Sequence, residues 1–462
     1  MPEKKLTHGV KTLLGDPKKA ILKLSGPMIV AMSVQSIYNV ADGIWVSGLG
    51  ADALAAIGLF YPIFMVIISV AAGIGVGGSS AISRYIGAND KESTDSAATH
   101  TIVIGLLVGL AFTALTLPFL RKIFLLSGAQ GKVISLVVSY GRVLVGGSII
   151  IVFTNIGTGI LRGEGDTKRA MYAMVLGSAL NIVLDPIFIY TLRMGVVGAA
   201  WATLLSICIT GIILFFWLFI KKDTYIDMTF SSFRFNKIIV KDILRVGVPS
   251  SFAQLSMSIA MFILNYIVVK VNGADGVAVF TSAWRIMMLG VVPLLGVAVG
   301  VTAVTGAAYG ARNAKKLDSA YTYGVKLGLF MEFAISILIL IFARQLTFLF
   351  TYSKGTAHIS GALTEAFRIL ALFLSSVPFG MLTSSMFQGI GRGENSLAIT
   401  ILRTLIFQIF FGYLFGVTMK MGLPGIWWGI VLGNITASAI AFLWGRLTVK
   451  ALKVQFDSSM KS

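Results

Sequence analysis

Twelve long apolar runs, separated by short polar breaks, are the feature that most constrains how this chain folds. Each run has about 20 or more residues, the length that an α-helix needs to cross the roughly 30 Å hydrocarbon core of a bilayer. Charged residues make up only 12% of the chain and apolar residues 56%, against about 25% charged in ordinary soluble domains. So few polar side chains cannot cover a water-facing surface. The sequence therefore predicts an integral membrane protein.

The predicted fold class is an all-α polytopic membrane protein with twelve transmembrane helices in two six-helix bundles. The apolar runs lie at 21–48, 54–83, 98–119, 134–161, 171–192, 196–220, 246–271, 277–306, 322–343, 362–389, 397–418 and 423–446. We divide the chain into an N-terminal segment 1–20, a first bundle 21–220, a linker 221–245, a second bundle 246–446 and a tail 447–462. Several runs exceed the bilayer thickness, so tilted or bent helices are expected.

The charge distribution predicts the orientation of these spans. The chain has 38 basic and 19 acidic residues, and a net charge of +19 would suggest nucleic-acid binding in a soluble protein. Here 27 of the basic residues fall on the face that the N-terminus shares with the linker and the C-terminus, and 8 fall on the opposite face. Loops rich in Lys and Arg stay inside the cell. We therefore expect a multi-pass protein of the cell membrane with both termini in the cytoplasm, and no nucleic-acid partner.

The two halves of the chain repeat each other. Five patterns recur in order at offsets between 222 and 228: Pro27 as Pro249, residues 50–52 as 273–275, Gly87 as Gly310, residues 163–165 as 391–393, and residues 194–201 as 421–428. Because each half holds an even number of spans, the halves have the same orientation and are related by an axis along the membrane normal. This predicts two pseudo-symmetric bundles.

Polar residues follow one face of the first span. Gln35, Tyr38 and Asp42 are three, four and seven residues apart, which places them on one side of a helix, with Asn39 beside them. An ionisable side chain in hydrocarbon costs about 2.5–3.5 kcal/mol on insertion scales, so Asp42 is a functional candidate. The alternative is a solvated Asp42 at the outer mouth of the span.

A second polar stripe follows the fifth span, where Met174, Ser178, Asn181 and Asp185 are spaced for one helix face. Pro186 follows Asp185 and favours a local bend, because proline lacks a backbone donor. The alternative is an ordinary helix-end residue before a proline. At the offset of the repeat the second half has no carboxylate matching Asp42 or Asp185, which favours a function over an architectural role.

The second half has other polar candidates within its spans. Glu332 and Arg285 are either a buried ion pair that fixes the second bundle or contributors to transport. Gln254, Met257 and Met261 form a stripe on the seventh span. Such a stripe is either core or a polarizable, adaptable surface facing a cavity.

The sequence shows no motif for a disulfide framework, a metal site, an enzyme or a dinucleotide-binding loop. The single Cys208 gives no disulfide framework or cysteine-based metal site, and His8, His100 and His358 are far apart. We find no nucleophile and base pair, so we expect no enzyme. Glycines at positions 73, 75, 77 and 78 lie within an apolar span and are interpreted as helix-packing residues rather than a dinucleotide-binding loop.

The sequence resembles the multidrug and toxic compound extrusion (MATE) family, in the prokaryotic branch related to the DNA-damage-inducible protein F. The motifs that carry the resemblance are Leu24-Ser25-Gly26-Pro27, Tyr38-Asn39-x-x-Asp42, residues 161–167 (LRGEGDT) and Leu180-Asn181-x-x-x-Asp185-Pro186. The resemblance covers essentially the whole chain. It implies a V-shaped pair of six-helix bundles that exports organic cations in exchange for inward H+ or Na+, with no cofactor.

The resemblance also implies a coupling-ion site in the first bundle, formed by Asp42, Asn181, Asp185 and Thr203. Residues of the surrounding substrate and coupling network are Gln35, Tyr38, Asn39, Tyr140, Asn155, Thr158, Met174 and Ser178, and contributors from the second bundle are Gln254, Met257, Met261, Arg285 and Glu332. At Thr158 this chain departs from the asparagine expected in close relatives.

These residues lead to a hypothesis of mechanism. Two carboxylates in a dry pocket cannot both stay charged without compensation, so Asp42 and Asp185 take up a proton or a cation. The same four residues, Asp42, Asn181, Asp185 and Thr203, would be the metal ligands if the ion is Na+, because they offer only oxygen atoms. The alternative function is a flippase for lipids or lipid-linked sugars, which we expect to line its cavity with cations such as Arg285 and Arg142. We expect a monomer.

Overall fold

The computed structural model describes residues 6–221, 223–228, 233–353 and 355–459, and every regular element within these ranges is helical. A short helix, His8–Leu14, precedes the long apolar helices. Its first turn is capped by the Thr7 side chain, which accepts a hydrogen bond from the backbone N–H of Val10 at 3.4 Å. The predicted all-α fold class is confirmed.

Twelve spans are present in the described chain. Ten helices are long and apolar enough to cross a membrane, an eleventh span is a pair bent by 48°, and the longest helix is two spans, because it is broken at Asn272 and Gly273. In chain order the spans are Pro17–Ser47, Ala51–Gly87, Lys91–Leu126, the bent pair Gly131–Gly146 and Ser148–Gly163, Thr167–Thr191, Gly195–Ile220, 237–271, 274–310, Ala314–Ile341, Ala357–Gly389, Gly393–Thr418 and Gly422–Ser459.

Three of these spans contain π-helical turns, in which the backbone takes one residue more per turn than an α-helix. The fifth span ends in Ile187–Thr191 and the sixth in Phe216–Ile220. The eleventh contains two such turns, Leu402–Phe407 and Leu414–Thr418. The last of these occupies the position that matches the turn in the fifth span at the offset of the repeat, so the repeat extends to this irregularity.

The backbone repeats between the halves at residues where the conformation is strained. Asn89 and Arg312, which match at the offset of the repeat, have φ of 58° and 50°, and the matched residues Arg193 and Lys420 have φ of 52° and 56°. This left-handed region is costly for residues other than glycine. The same conformation at matched positions shows that the halves share loop geometry as well as helix order, which confirms the pseudo-symmetric arrangement.

Helix starts are repeated in the same way. Asp90 caps the third span by accepting a hydrogen bond from the N–H of Ser93 at 2.9 Å. Asn313 caps the ninth span by accepting one from the N–H of Lys316 at 2.9 Å. Both side chains satisfy a backbone donor that the first turn of a helix leaves free. Asp90 and Asn313 are matched positions of the two halves, so the repeat includes the caps of its helices.

The chain forms two compact units. The first comprises Val30–Ser251 and the chain up to Gly15, and the second comprises Asp16–Ile29 and the chain from Phe252 onward. The first span and the seventh each pass from one unit to the other. A proline stands two residues before each change, Pro27 before Ile29 and Pro249 before Ser251.

Glycines bring helix backbones together within each unit. In the first unit a Cβ on Gly73 would lie 2.6 Å from the backbone oxygen of Gly247, and one on Gly159 would lie 2.7 Å from that of Gly75. In the second unit a Cβ on Gly433 would lie 2.6 Å from the backbone oxygen of Phe407. These distances are too short for any side chain, so the interpretation of the glycines as helix-packing residues is confirmed.

The segment before the seventh span is fastened to the first unit by polar contacts. The buried Glu164 accepts hydrogen bonds through Oε2 from the N–H of Tyr225 at 3.1 Å and of Ile226 at 3.3 Å. Arg169 donates from both terminal nitrogens to Asp223, at 2.8 and 2.7 Å. A bidentate guanidinium to carboxylate pair fixes geometry as well as distance.

His100 holds the end of the same segment. Its Nε2 accepts a hydrogen bond from the N–H of Asn236 at 2.9 Å, and its Nδ1 lies 2.8 Å from the backbone oxygen of Ser96. The imidazole therefore carries its proton on Nδ1. Asn236 in turn caps the seventh span, because its Oδ1 accepts from the N–H of Ile238 at 2.9 Å.

Candidate functional site

Two carboxyl groups from different helices meet inside the first unit. Asp42 is on the first span, five residues before the helix Pro17–Ser47 ends, and Asp185 is the last residue but one of the helix Thr167–Pro186. Asp185 is fully buried and Asp42 is half-buried. The two groups lie within hydrogen-bonding range of each other. Two carboxylates this close, one of them buried, repel each other strongly, so the pair favours a bound proton or cation.

Asn181 connects this pair to the sixth span. Its amide orientation follows from its partners: Nδ2 donates to Asp185 Oδ2 at 2.8 Å, and Oδ1 accepts from the Thr203 hydroxyl and backbone N–H, both at 3.2 Å. Asn181 stands one helical turn before Asp185, which is why the two side chains share a face. Asn181, Asp185 and Thr203 are all buried, so this part of the network is shielded from water.

Two tyrosines flank the acids. Tyr38 precedes Asp42 by one turn and lies within interaction range of both carboxyl groups and the Thr203 hydroxyl. Tyr140, on the fourth span, is within electrostatic range of both acids. The Tyr140 ring packs edge to face on Phe60 with 5.2 Å between the ring centroids. The apolar bodies of the phenols screen the acids from water, and their hydroxyls offer oxygen atoms.

The chain does not end its helix at Asp185. Pro186 follows it, and the helical path continues through the π-helical turn Ile187–Thr191. Proline removes a backbone donor and crowds the preceding turn, so a wider turn follows. The α-helix thus ends at Pro186, one residue after Asp185, and the predicted local irregularity is present as the π-helical turn that follows.

The remaining candidates of the first unit differ in their burial and in their hydrogen bonds. Ser178 is buried and Met174 half-buried on the same helix as Asp185, while Gln35 and Asn39 are exposed on the first span. Asn155 and Thr158 donate to carbonyls of their own helix, Asn155 to Ile151 at 2.9 Å and Thr158 to Asn155 at 2.9 Å. Within the described residues neither of these two hydrogen-bonds to Asp42 or Asp185.

The predicted ion pair between Glu332 and Arg285 is wrong. Glu332 is fully buried, and neither of its carboxyl oxygens has a hydrogen-bond partner in the described chain. Arg285 is exposed. The sequence placed both within neighbouring spans but could not show that their side chains face in different directions. The other candidates of this half are exposed, as for Gln254 and Met257, or half-buried, as for Met261.

Sequence reasoning missed Arg403. It was counted with the basic residues of the N-terminal face, yet it lies within the eleventh span and is only 8% exposed. Its position inside the apolar run 397–418 was the signal that could have found it, because charged residues inside a span are functional candidates.

The set around Asp42 offers oxygen ligands only. Among the described residues there is no group of three or more His, Cys, Asp or Glu side chains that could hold a metal ion. The carboxylates of Asp42 and Asp185 and the Thr203 hydroxyl still fit a hard monovalent cation or a proton. The unsatisfied Oδ1 of Asp185, which no donor in the described ranges reaches, suits either.

Comparison with known proteins agrees with this architecture. The MatE family model matches residues 27–187 and 249–414, one match in each half. The multidrug export protein MepA of Staphylococcus aureus is 24% identical over 427 residues, covering 92% of each chain. The chain therefore belongs to the MatE family and is a multi-pass membrane transporter of the multidrug and toxic compound extrusion type.

Two solved structures are more similar. One, described as the outward-facing conformation of a multidrug resistance MATE family transporter, is 57% identical, with a TM-score of 0.95, 97% of this chain covered and 100% of that one. The other, a MOP superfamily transporter from Pyrococcus furiosus described as having a binding pocket of reverse polarity, is 57% identical, with a TM-score of 0.94 and the same coverage.

Proposed function

We propose that this protein is a secondary active exporter that exchanges organic cations for H+ or Na+ by alternating access. The observation that carries the proposal is the pair of Asp42 and Asp185, joined through Asn181 to Thr203 inside the first unit. The family assignment supports an exporter, and the multidrug export protein MepA supports a range of drug substrates. The cell membrane is the proposed location, with both termini in the cytoplasm and the protein acting as a monomer.

The acid pair supplies the coupling. With the site empty, the two carboxylates leave negative charge in a medium of low dielectric, where Coulomb interactions are stronger than in water. That charge attracts a cationic drug. A proton or Na+ that enters from outside neutralises it and favours drug release, and loss of the ion inside restores the drug site. A ligand shifts an equilibrium only by its differential affinity for the two states, and the shared charge supplies that difference.

The ligand set is compatible with either ion. A proton needs only the two carboxyl groups. Na+ needs several oxygen atoms, which Asp42, Asp185 and Thr203 provide, and Asn181 adds its Oδ1 when its amide turns from Thr203 toward the acids. Measuring transport under a proton gradient and under a Na+ gradient separately distinguishes the two ions.

Substitution of Asp42 by Asn tests the proposal. In proteoliposomes, ethidium transport driven by an imposed proton gradient, and then by an imposed Na+ gradient, is measured for the wild type and for Asp42→Asn and Asp185→Asn. We expect transport to fall by about tenfold or more in both variants, because neutralising one acid removes about 1.4 kcal/mol or more of coupling. Asp52→Asn is the matched control, since Asp52 is exposed at the start of the second span, and it should transport normally.

Full transport by Asp42→Asn at normal protein levels would contradict the coupling role of the acid pair. Absence of ethidium transport in the wild type under both gradients, together with scrambling of a fluorescent lipid-linked sugar, would favour the flippase alternative.

A further inference from the structure

A buried guanidinium stands without a partner in the second unit. Arg403 lies in the π-helical turn Leu402–Phe407 of the eleventh span and is 8% exposed. Its Nε and Nη1 have no hydrogen-bond partner among the described residues, and no carboxylate described there lies within ion-pair distance. Arginine does not lose its proton in proteins. A buried positive charge without a counter-charge is energetically costly unless a negatively charged group binds to it.

Other unsatisfied polar atoms lie on the facing helix. The Ser438 hydroxyl and the Asn434 Oδ1 are buried on the twelfth span and have no partner in the described ranges. Asn434 uses its Nδ2 to donate to the Ser376 hydroxyl on the tenth span at 2.6 Å. Ser438 and Asn434 are four residues apart, so both face the same side of their helix.

Gly380 brings Arg403 and Ser438 to the same place on the tenth span. A Cβ on this residue would lie 2.9 Å from the Ser438 Oγ and 3.4 Å from the Arg403 Cδ. Both polar side chains therefore pack against this one glycine, and no side chain at position 380 separates them. Nε–H and Nη1–H of the guanidinium and the hydroxyl of Ser438 are all hydrogen-bond donors.

We propose that Arg403 and Ser438 form a binding site for a monovalent anionic group, a halide or a carboxylate. Three donors on one full positive charge suit an anion, and a single negative charge neutralises the guanidinium without leaving an excess. The nearest chemical alternative is Glu332 of the same unit, but its carboxyl oxygens have no hydrogen-bond partner among the described residues, so it does not neutralise Arg403 by contact.

This site belongs to the second half alone. At the offset of the repeat in this part of the chain, Arg403, Asn434 and Ser438 correspond to Leu176, Ile207 and Gly211. The first unit thus has a buried and a half-buried acid without a counterpart in the second, and the second has a buried cation without a counterpart in the first. The anion site is independent of the acid pair and does not rest on the proposed exchange of cations.

Binding of chloride-36 to the purified protein in detergent tests the site. Propionate is added as a competitor, to test whether the site also takes a carboxylate. We expect saturable binding by the wild type and a decrease in affinity of about tenfold or more in Arg403→Met, because the charged donors are lost. Ser438→Ala, which removes one hydroxyl donor, should lower affinity by about fivefold. Arg344→Met, at an exposed arginine of the same unit, is the matched control and should bind normally.

The two sources of the anion give different results. Displacement of chloride by propionate at similar concentrations indicates a site for carboxylates, and failure of propionate to compete indicates a halide site. If Arg403→Met does not fold, crystals of the wild type grown in bromide give the same answer by anomalous scattering. Bromide density beside Arg403 and Ser438 supports the proposal. No saturable anion binding, or binding unchanged in Arg403→Met, or only ordered water beside Arg403, would overturn it.

Discussion

Glu164 is the acid that fastens the segment before the seventh span, and its protonation controls that contact. It follows the fourth span directly and lies outside the membrane-spanning helices. Burial, and to a smaller extent the neighbouring Asp166 carboxylate, raise the pKa of Glu164 from 4.5 to about 8, although the amides of Ile226 and Tyr225 and the guanidinium of Arg169 act in the opposite direction. Burial therefore has the largest effect, and Glu164 holds its proton more tightly when the segment is docked than when the segment is free.

The sign of this shift predicts a pH dependence. The contribution of Glu164 to docking is fully present below about pH 4.5 and is lost as the pH rises through about 8. Amide hydrogen exchange of the peptide that contains Tyr225 and Ile226, corrected for intrinsic rates, should therefore be faster at pH 8.5 than at pH 6. Glu164→Gln keeps an acceptor oxygen but does not titrate, so its exchange should not change with pH. Glu92→Gln, at an exposed acid, is the control and should behave as the wild type; an unaltered pH response in Glu164→Gln would count against this role.

At the scale of single residues, helix spacing alone predicted that Asp185 and Asn181 share a face, and the polar stripe identified Asp42. Spacing within a helix does not show which helices are neighbours. The prediction that Asp42 and Asp185 meet, and that Thr203 joins them, therefore depended on the family resemblance. The pairing of Glu332 with Arg285 failed for the same reason. Arg403 was missed because a loop count assigns charges by the nearest polar break, although burial is decided by rotation about the helix axis.

At the scale of helices, close backbone contact between the second span and the seventh depends on Gly73 and Gly77. A Cβ on Gly73 would lie 2.8 Å from the backbone nitrogen of Ser251, and one on Gly77 would lie 2.9 Å from that of Gly247. Backbone atoms cannot rotate away as the end of a side chain can. The seventh span would have to move, which costs typically about 1–3 kcal/mol.

Alanine substitutions test this contact. Gly73→Ala and Gly77→Ala should lower the midpoint of thermal unfolding in detergent by several degrees. Gly58→Ala, in the same helix, is the matched control, because its Cβ would meet nothing within 4 Å. It should leave the midpoint unchanged or raise it, since alanine favours a helix over glycine by about 1 kcal/mol. Equal effects of all three substitutions would show that helix propensity, not packing, decides the outcome.

The apolar runs predicted all twelve spans, because the thickness of the bilayer sets the length of every helix. They did not predict where the helices end beyond the membrane: the last run covers 423–446, whereas the helix is Gly422–Ser459. Hydropathy does not detect the polar turns by which a helix continues into water. Nor did it locate the 48° bend between Gly146 and Ser148, where the backbone of Gly147 departs from helical geometry with φ of −85° and ψ of 5°.

At the scale of the whole molecule, the excess of positive charge is an orientation signal. The loops on the N-terminal face hold most of the Lys and Arg. Arg403 was counted with these loops but lies inside a span, and without it the N-terminal face still has the large majority of the basic residues. The bias therefore still predicts that the linker and both termini face the cytoplasm.

Cysteine labelling checks that orientation. A Cys208→Ala background removes the single native thiol. In it, Lys132→Cys lies in the first turn of the fourth span and Lys168→Cys in the first turn of the fifth, and both positions are exposed. A membrane-impermeant maleimide applied to intact cells should label Lys132→Cys, and should label Lys168→Cys only after the membrane is permeabilised. The reverse pattern would invert the proposed topology.

The π-helical turns also bear on how the length of this chain can change. Each wide turn holds one residue more than the α-helical turn that could replace it. A deletion of one residue within Ile187–Thr191 or Leu414–Thr418 can therefore be absorbed by closing the turn to α-helical geometry, with the helix on either side kept in register. A deletion in the α-helical parts of the same spans would rotate every later side chain by about 100° around the axis. These turns are the places where the spans can lose a residue and still present the same faces to their neighbours.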